Sequence, residues 1–342
     1  AKKKVAIYLG LFWENIGNGL ANPLYLFCTM HVSSRLLFHL SDSFYLALKS
    51  VDAVALELNP DTWQGEMVTM NNIKQNYADF AGTPRSSYLT QYSFRIDAYD
   101  DELKAAMSSE PTIVNSLLYR SYKAKEDFEE DTFLDLYIYQ TGKKLGKRAT
   151  AVENYFETEK IVMEAYADMA KEKKRRYADT DGESRYDIVE KTQDAYRRGD
   201  LDLMDSLDRM MDRSEAFTEK FLFKRNEIQA NSMDTIMKKS SLFVGVGAAH
   251  LPGPRGVIEL LRTMGYTLRP IYMTDRDAAQ KEVVDKMKMP VNFTTQTADD
   301  GFFSVAMPGP LFKLSGENQK LDRRQYSDMA NGAFYLVTRI KT

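Results

Sequence analysis

The sequence predicts an α/β protein with a parallel or mixed sheet core, a large helical insertion and a small C-terminal β-rich module. Two segments, 25–58 and 240–273, each show an apolar strand, a helix and a second apolar strand, as in a right-handed βαβ unit. Between them, residues 64–240 show a mostly polar helical pattern, which predicts the insertion. We therefore expect one α/β domain over residues 1–290 and a β-rich segment over 291–342. The last apolar run stops abruptly, so we expect that the natural chain continues.

The N-terminal elements are predicted to be two strands around a turn, then a helix and a third strand. Apolar runs within residues 2–31 flank Asn and Gly residues at positions 15–19, which tolerate the positive φ of tight turns. Residues 40–50, LSDSFYLALKS, predict a helix. Residues 51–58, VDAVALEL, predict a short buried strand that carries Glu57 near its end.

The insertion is predicted to be helical with one break. Residues 201–239 place apolar side chains at three- and four-residue intervals, the signal of an amphipathic helix. Residues 142–154, GKKLGKRATAVEN, instead predict a turn and a short strand that ends near Glu153.

The second βαβ-like unit begins with a fully apolar strand from Leu242 to Val246, which glycines and His250 follow. A helix from Arg255 to Met264, ended by Gly265, and a strand from Thr267 to Tyr272 are expected next. The rest of the chain contains further short apolar runs typical of strands, which is why a β-rich module is predicted there.

Composition excludes several classes of protein. The chain has 342 residues, of which 44% are apolar and 28% charged, as in an ordinary globular protein. A nucleic-acid partner would favour a clustered basic face, and a net charge of −3 gives no reason to expect one, so we expect no nucleic-acid partner. The single cysteine excludes a disulfide within the chain and a cysteine-rich zinc site. No stretch approaches the roughly 20 apolar residues of a membrane span, and no signal peptide is recognisable, so no membrane span is expected.

Polar residues that follow the predicted strands are expected to meet at one edge of the sheet. Ligands of such sheets bind beyond the carboxyl ends of the strands. His31 follows the strand YLFCTM, Glu57 lies at the end of VDAVALEL, and His250 follows FVGVG. Glu153 would join them if its strand belongs to the same sheet. Two histidines and two carboxylates can bind a divalent metal or act as a paired acid and base, and the pattern leaves both open.

Each of these residues also has a purely structural interpretation. A histidine after a strand often only makes loop hydrogen bonds, and a glutamate at a strand end often faces solvent. Burial of Glu57 in an otherwise apolar strand would, however, be costly unless its carboxylate is paired. The joint pattern therefore favours a functional cluster.

Three segments together resemble one known family: LFWENIGNGLANPLYLFCTMHVSS, DAVALEL and FLFKRNEIQANSMDTIMKKSSLFVGVGAAHLPGPRGVIELLRTMGYTL. Over roughly residues 11–275 the chain is similar to the TraB/GumN family, which includes the TIKI-type metalloproteases and lies near the erythromycin-esterase-like superfamily. The second Gly-x-x-His motif of that family matches Gly247 to His250. Its Arg-Asn pair matches Arg225 and Asn226, and its early glutamate matches Glu57.

The resemblance implies a metal-dependent hydrolase, a peptidase, with a peptide or small molecule as substrate and a bacterial cell-envelope, periplasmic or secreted setting. It implies that His31, His250 and Glu57 hold a divalent Mn, Co or Zn ion. The catalytic residues that it implies are Glu57, Glu153, Arg225 and Asn226. Arg225 or Asn226 would stabilise the developing oxyanion. Alternatively, Arg225 pairs with a glutamate as a structural clamp.

The first Gly-x-x-His motif departs from the family pattern, because Cys28 stands where the family has glycine. Cysteine is often buried and fills such a position if φ is negative. The alternatives are an additional metal ligand and a reactive thiol, and the latter needs a lowered pKa. A side chain at this position can also narrow or impair the site.

Two other functions stay open beside the metal-dependent hydrolase. One is a metal-free hydrolase resembling the erythromycin esterases, in which a histidine acts as general base and a glutamate orients it. The other is a non-catalytic binding or scaffold protein on a degenerate hydrolase fold, which the Cys28 substitution and the appended β-rich module suggest. The sequence does not indicate the oligomeric state.

Overall fold

A mixed sheet flanked by helices forms the core of the protein in the computed structural model. The structure describes residues 8–15, 23–30, 40–70, 134–172, 185–210, 214–272, 279–313 and 321–340.

The central sheet has six strands within these ranges. They are β1 (Phe12–Asn15), β2 (Leu24–Thr29), β3 (Ala53–Leu56), β4 (Arg148–Ala151), β5 (Leu242–Gly247) and β6 (Leu268–Pro270). Their order across the sheet is β4-β3-β5-β2-β1-β6. β5 pairs in parallel with β2 and β3, and β3 pairs in parallel with β4, whereas β1 is antiparallel to both β2 and β6. The predicted α/β class with a parallel or mixed sheet is confirmed.

Helices follow or connect these strands. They are α1 (Asp42–Ser50), α2 (Leu134–Lys144), α3 (Tyr155–Glu172), α4 (Arg185–Arg198), α5 (Leu201–Met210), α6 (Glu215–Thr218), α7 (Arg225–Met237), α8 (Val257–Thr263) and α9 (Ala279–Lys286). Residues 63–70 are helical as well. A six-residue π-helical segment, Glu219–Lys224, joins α6 to α7. Of the predicted helical insertion, residues 71–133, 173–184 and 211–213 lie outside the described part of the chain.

Aromatic side chains pack around the central strands. The central parallel strands are apolar along their length, as expected where both faces of a sheet are covered. The Phe44 ring from α1 meets Phe27 edge-on at 5.1 Å and Phe243 at 5.3 Å between centroids. All three rings are fully buried. These contacts fix β2 and β5 beside each other and thereby place the segments that follow their carboxyl ends.

Helix α2 packs so closely against the sheet at Gly142 that a side chain at this position would clash with β3. A Cβ added to Gly142 would lie 2.6 Å from Cγ2 of Val54 on β3. We expect Gly142→Ala to lower the free energy of unfolding by about 1–2 kcal/mol, because overpacking outweighs the gain in helix propensity. Urea unfolding followed by circular dichroism measures this change. Gly65→Ala is the matched control, because its Cβ would lie 3.4 Å from Phe312, an ordinary contact. An equal loss in both variants would contradict the packing argument.

The C-terminal part is rich in β-structure, as predicted. A two-stranded sheet contains β7 (Thr294–Thr297) and β8 (Ser304–Met307), and a three-stranded sheet contains β9 (Phe312–Lys313), β10 (Leu321–Asp328) and β11 (Ala333–Ile340). We call residues 289–340 the C-terminal module, and its predicted boundary near residue 290 stays a prediction. Across all the described helices, none is long and apolar enough to cross a membrane.

Candidate functional site

Three polar residues come together just beyond the carboxyl ends of β3, β4 and β5. Glu57 follows β3, Glu153 lies two residues after β4, and His250 ends a short 3₁₀ turn after β5. The parallel pairing of β3 and β4 extends past the strands, since the Glu153 amide donates to the Glu57 carbonyl at 2.9 Å. One ligand atom from each of the three side chains lies within 4.8 Å of the others. This cluster could hold a metal ion.

The Glu153 carboxylate is buried and held by several donors. Arg225 Nε donates to both of its oxygens, at 3.1 and 3.0 Å. Gln229 Nε2 donates to Oε1 at 2.6 Å, and the Thr158 hydroxyl donates to Oε2 at 2.7 Å. Because both oxygens already accept hydrogen bonds, Glu153 is better placed to position Arg225 than to bind an ion.

Arg225 joins the two carboxylates. Its Nη2 donates to Glu57 Oε2 at 2.8 Å while its Nε contacts Glu153. Burial disfavours its charge, but attraction to the two glutamates outweighs this effect and raises the pKa of Arg225 above its usual value. The residue opens α7 directly after the π-helical segment, a rare geometry that often occurs at functional sites. The hydrogen bonds favour the clamp interpretation of Arg225.

One oxygen of the Glu57 carboxylate contacts Arg225, and the other faces His250. Besides the Arg225 contact of Oε2, Oε1 accepts the Gly247 amide at 2.8 Å and lies 3.7 Å from His250 Nε2. A Cβ on Gly247 would come within 3.0 Å of the same oxygen. The glycine of the Gly-x-x-His motif thus lets the strand end approach the carboxylate closely.

Asn226 fixes the orientation of the His250 ring. Asn226 Nδ2 donates to the Arg255 carbonyl at 2.8 Å, which turns its Oδ1 toward His250 Nδ1 at 2.7 Å. An amide oxygen accepts, so Nδ1 carries the proton and donates. In the neutral imidazole this leaves the lone pair on Nε2, the atom nearest Glu57. Histidines that bind a metal through one ring nitrogen typically donate a hydrogen bond through the other, as His250 Nδ1 does here.

The spacing of Glu57 and His250, and the charge around them, suit a divalent cation. The carboxylates of Glu57 and Glu153 and the guanidinium of Arg225 leave one net negative charge among these three groups. Two ligands that each lie about 2.1 Å from one ion are at most about 4.2 Å apart. The 3.7 Å between Glu57 Oε1 and His250 Nε2 is within that limit and is too long for a hydrogen bond.

The described structure leaves one predicted ligand untested and buries the cysteine completely. His31 lies outside the described residues, so its part in the site stays a prediction. Cys28 is fully buried, and burial raises the pKa of its thiol well above the usual value. In the β2–β5 register Cys28 lies opposite Val246, whereas Thr29 lies opposite Gly247. Burial and the raised pKa favour the interpretation of Cys28 as a buried packing residue.

Two residues of the network were not anticipated from the sequence. Gln229 follows Arg225 by four positions and therefore lies on the same face of α7, a spacing that could have revealed it. Thr158 lies five positions after Glu153 in the first turns of α3, and no sequence signal pointed to it.

Comparison with known proteins identifies a matching family. A sequence model of the TraB/PrgY/gumN family matches residues 11–270. No curated protein and no solved structure matches the chain significantly. The matched range contains β1 to β6 and the whole cluster of Glu57, Glu153 and His250, and it ends before the C-terminal module.

Proposed function

The chain belongs to the TraB/PrgY/gumN family, whose sequence model matches most of its length, and from this premise we propose that it is a metal-dependent hydrolase. The observation that carries the proposal is the geometry of His250. Its Nδ1 is bound by Asn226, and its Nε2 lies 3.7 Å from Glu57 Oε1. The similarity of the strand-end motifs to those of TIKI-type metalloproteases supports a peptide bond as the bond that is cleaved.

In this proposal Glu57 and His250 hold the ion together with His31. A divalent Mn, Co or Zn ion would supply Lewis acidity for hydrolysis. Arg225 keeps the Glu57 carboxylate turned toward His250, and Glu153 in turn orients Arg225. Asn226 sets the protonation of His250. Arg225 and Asn226 are thus positioning residues here, and the oxyanion role expected for one of them stays a prediction.

Metal binding by the purified chain tests the proposal. We expect tight, stoichiometric binding of Mn²⁺, Co²⁺ or Zn²⁺ by titration calorimetry. His250→Ala and Glu57→Gln should each weaken binding by more than about a hundredfold, because each removes a ligand rather than a supporting contact. His39→Ala is the matched control, since His39 has no counterpart in the motifs and the variant should bind like the wild type. The rate at which each variant hydrolyses fluorescein-labelled casein should fall in the same order as its metal affinity, and a chelator should abolish hydrolysis by the wild type.

The other outcomes would overturn the proposal in distinguishable ways. Hydrolysis that survives chelation but is lost in His250→Ala would indicate the metal-free mechanism. Binding of casein without metal binding and without turnover would indicate a scaffold protein. Metal binding that is equal in His250→Ala, Glu57→Gln and the wild type would place the ion elsewhere.

A further inference from the structure

A cleft of about 810 Å³ separates the α/β core from the C-terminal module. Its volume lies in the range of about 300–1,000 Å³ that is common for ligand sites. Core residues from the loop after β3 and the helix at 63–70 line one side, and residues of the C-terminal module line the other. We call this cavity the module cleft.

Part of the module cleft is formed by residues that follow β3 and β4, the two strands that carry Glu57 and Glu153 at their ends. Pro60 and Asp61, which line it, follow Glu57 by only three and four positions. Phe156, on the same side, follows Glu153 by three. Because β3 and β4 are adjacent parallel strands, both loops leave the sheet beside the carboxylates. The loops that carry Pro60, Asp61 and Phe156 therefore begin at the edge of the sheet that holds the cluster.

The far wall of the module cleft is fixed in place by hydrogen bonds. The Ser327 amide donates to Gln64 Oε1 at 2.9 Å, and Gln140 Nε2 donates to the Met329 carbonyl at 2.9 Å. The family match ends at residue 270, so this wall is not part of the matched family core. The cleft is thus a feature that the module adds to that core.

The lining of the module cleft favours a basic ligand with apolar side chains. Asp61, Glu66 and Asp328 are among its lining residues, and Lys143 is the one Lys or Arg among the described ones. The Asp328 oxygens accept from Ala330 and Asn331, so Asp328 contributes charge rather than an open acceptor. Lys143 contacts Asp61 at 3.2 Å, so the excess charge is negative. Aromatic side chains and prolines provide apolar walls, and Phe156 is about one-third exposed, at 36%. Complementarity of charge selects a cationic partner.

We propose that the module cleft binds a basic, extended polypeptide segment and presents it to the Glu57–His250 edge. The statement that this segment is a substrate rests on the proposed hydrolase function, whereas the binding itself does not. The expected preference is for lysine or arginine beside apolar residues.

Fluorescence anisotropy with two labelled decapeptides tests the proposal without turnover. Both peptides have capped ends and two phenylalanines, and one carries three lysines where the other carries three glutamates. The metal-free wild type should bind the lysine peptide at least about tenfold more tightly. Glu66→Lys should weaken this binding about fivefold or more at low ionic strength, and less at high salt. Glu190→Lys, an exposed helical glutamate of α4 outside the cleft, is the charge-matched control and should bind normally.

Phe156→Ala provides a second variant that leaves the charge unchanged and should also weaken binding. Equal binding of the two peptides, no binding of the lysine peptide, or equal losses in Glu66→Lys and Glu190→Lys would each overturn the proposal. Metal binding is measured separately. Peptide binding without metal binding therefore contradicts only the hydrolase function, and metal binding without peptide binding contradicts only the module cleft.

Discussion

Arg225→Leu is expected to lower the free energy of unfolding by about 3–5 kcal/mol, the cost typical of removing one partner from a buried ion pair. The Arg225 side chain is 9% exposed, and its guanidinium contacts Glu57 and the wholly buried side chain of Glu153. Without Arg225 two carboxylates stay together at the strand ends with no cation between them. Leucine fills a similar volume, so the loss reports on charge rather than on a cavity.

Two arginine variants serve as controls in the same urea titration. Arg225→Lys keeps the charge but loses the planar fork that contacts both carboxylates, so an intermediate loss is expected. Arg255→Leu removes surface ion pairs with Glu219 and Glu227, where Arg255 is 43% exposed, and should cost about 0–1 kcal/mol. An Arg225→Leu variant as stable as Arg255→Leu would show that the contacts of Arg225 with Glu57 and Glu153 do not contribute to the free energy of unfolding.

The sequence could predict which strand ends meet, but not which role each side chain at those ends has. Alternation of apolar strands with helices implies parallel pairing, and parallel pairing brings Glu57 and His250 to one edge. Glu153 could be added because a short strand was visible in GKKLGKRATAVEN. These inferences need only the direction of each strand, which a hydrophobic pattern supplies.

Side-chain roles depend on contacts between residues that are far apart in the chain. Arg225 lies 72 positions from Glu153 and 168 from Glu57, and no local pattern fixes the direction in which its guanidinium points. The π-helical segment before it is equally invisible to a period-based analysis, because one wider turn hardly alters the apolar spacing. The packing of the C-terminal module, and with it the module cleft, likewise follows from tertiary contacts such as that between Gln64 and Ser327.

Asn226→Leu is expected to weaken metal binding by about 10–100-fold, the usual effect of losing a hydrogen bond behind a ligand. The variant removes the oxygen that accepts from His250 Nδ1 at 2.7 Å, so the ring can turn and the proton can occupy either nitrogen. Titration calorimetry with Co²⁺ or Mn²⁺ measures the affinity, and urea unfolding of the same samples separates it from any loss of stability. Asn231→Leu is the control, because Asn231 is exposed on the same helix and its amide donates to the Glu227 carbonyl of its own turn.

Asn226→Asp distinguishes orientation of the ring from mere filling of space. Its carboxylate loses the donor to the Arg255 carbonyl but keeps an oxygen for the Nδ1 proton, and a carboxylate behind a histidine makes Nε2 a stronger ligand. Affinity should therefore recover most of the way toward that of the wild type. If Asn226→Asp binds metal as weakly as Asn226→Leu, the amide acts through the Arg255 carbonyl and the loop after His250. If both variants bind like the wild type, the tautomer of His250 has no part in holding the ion.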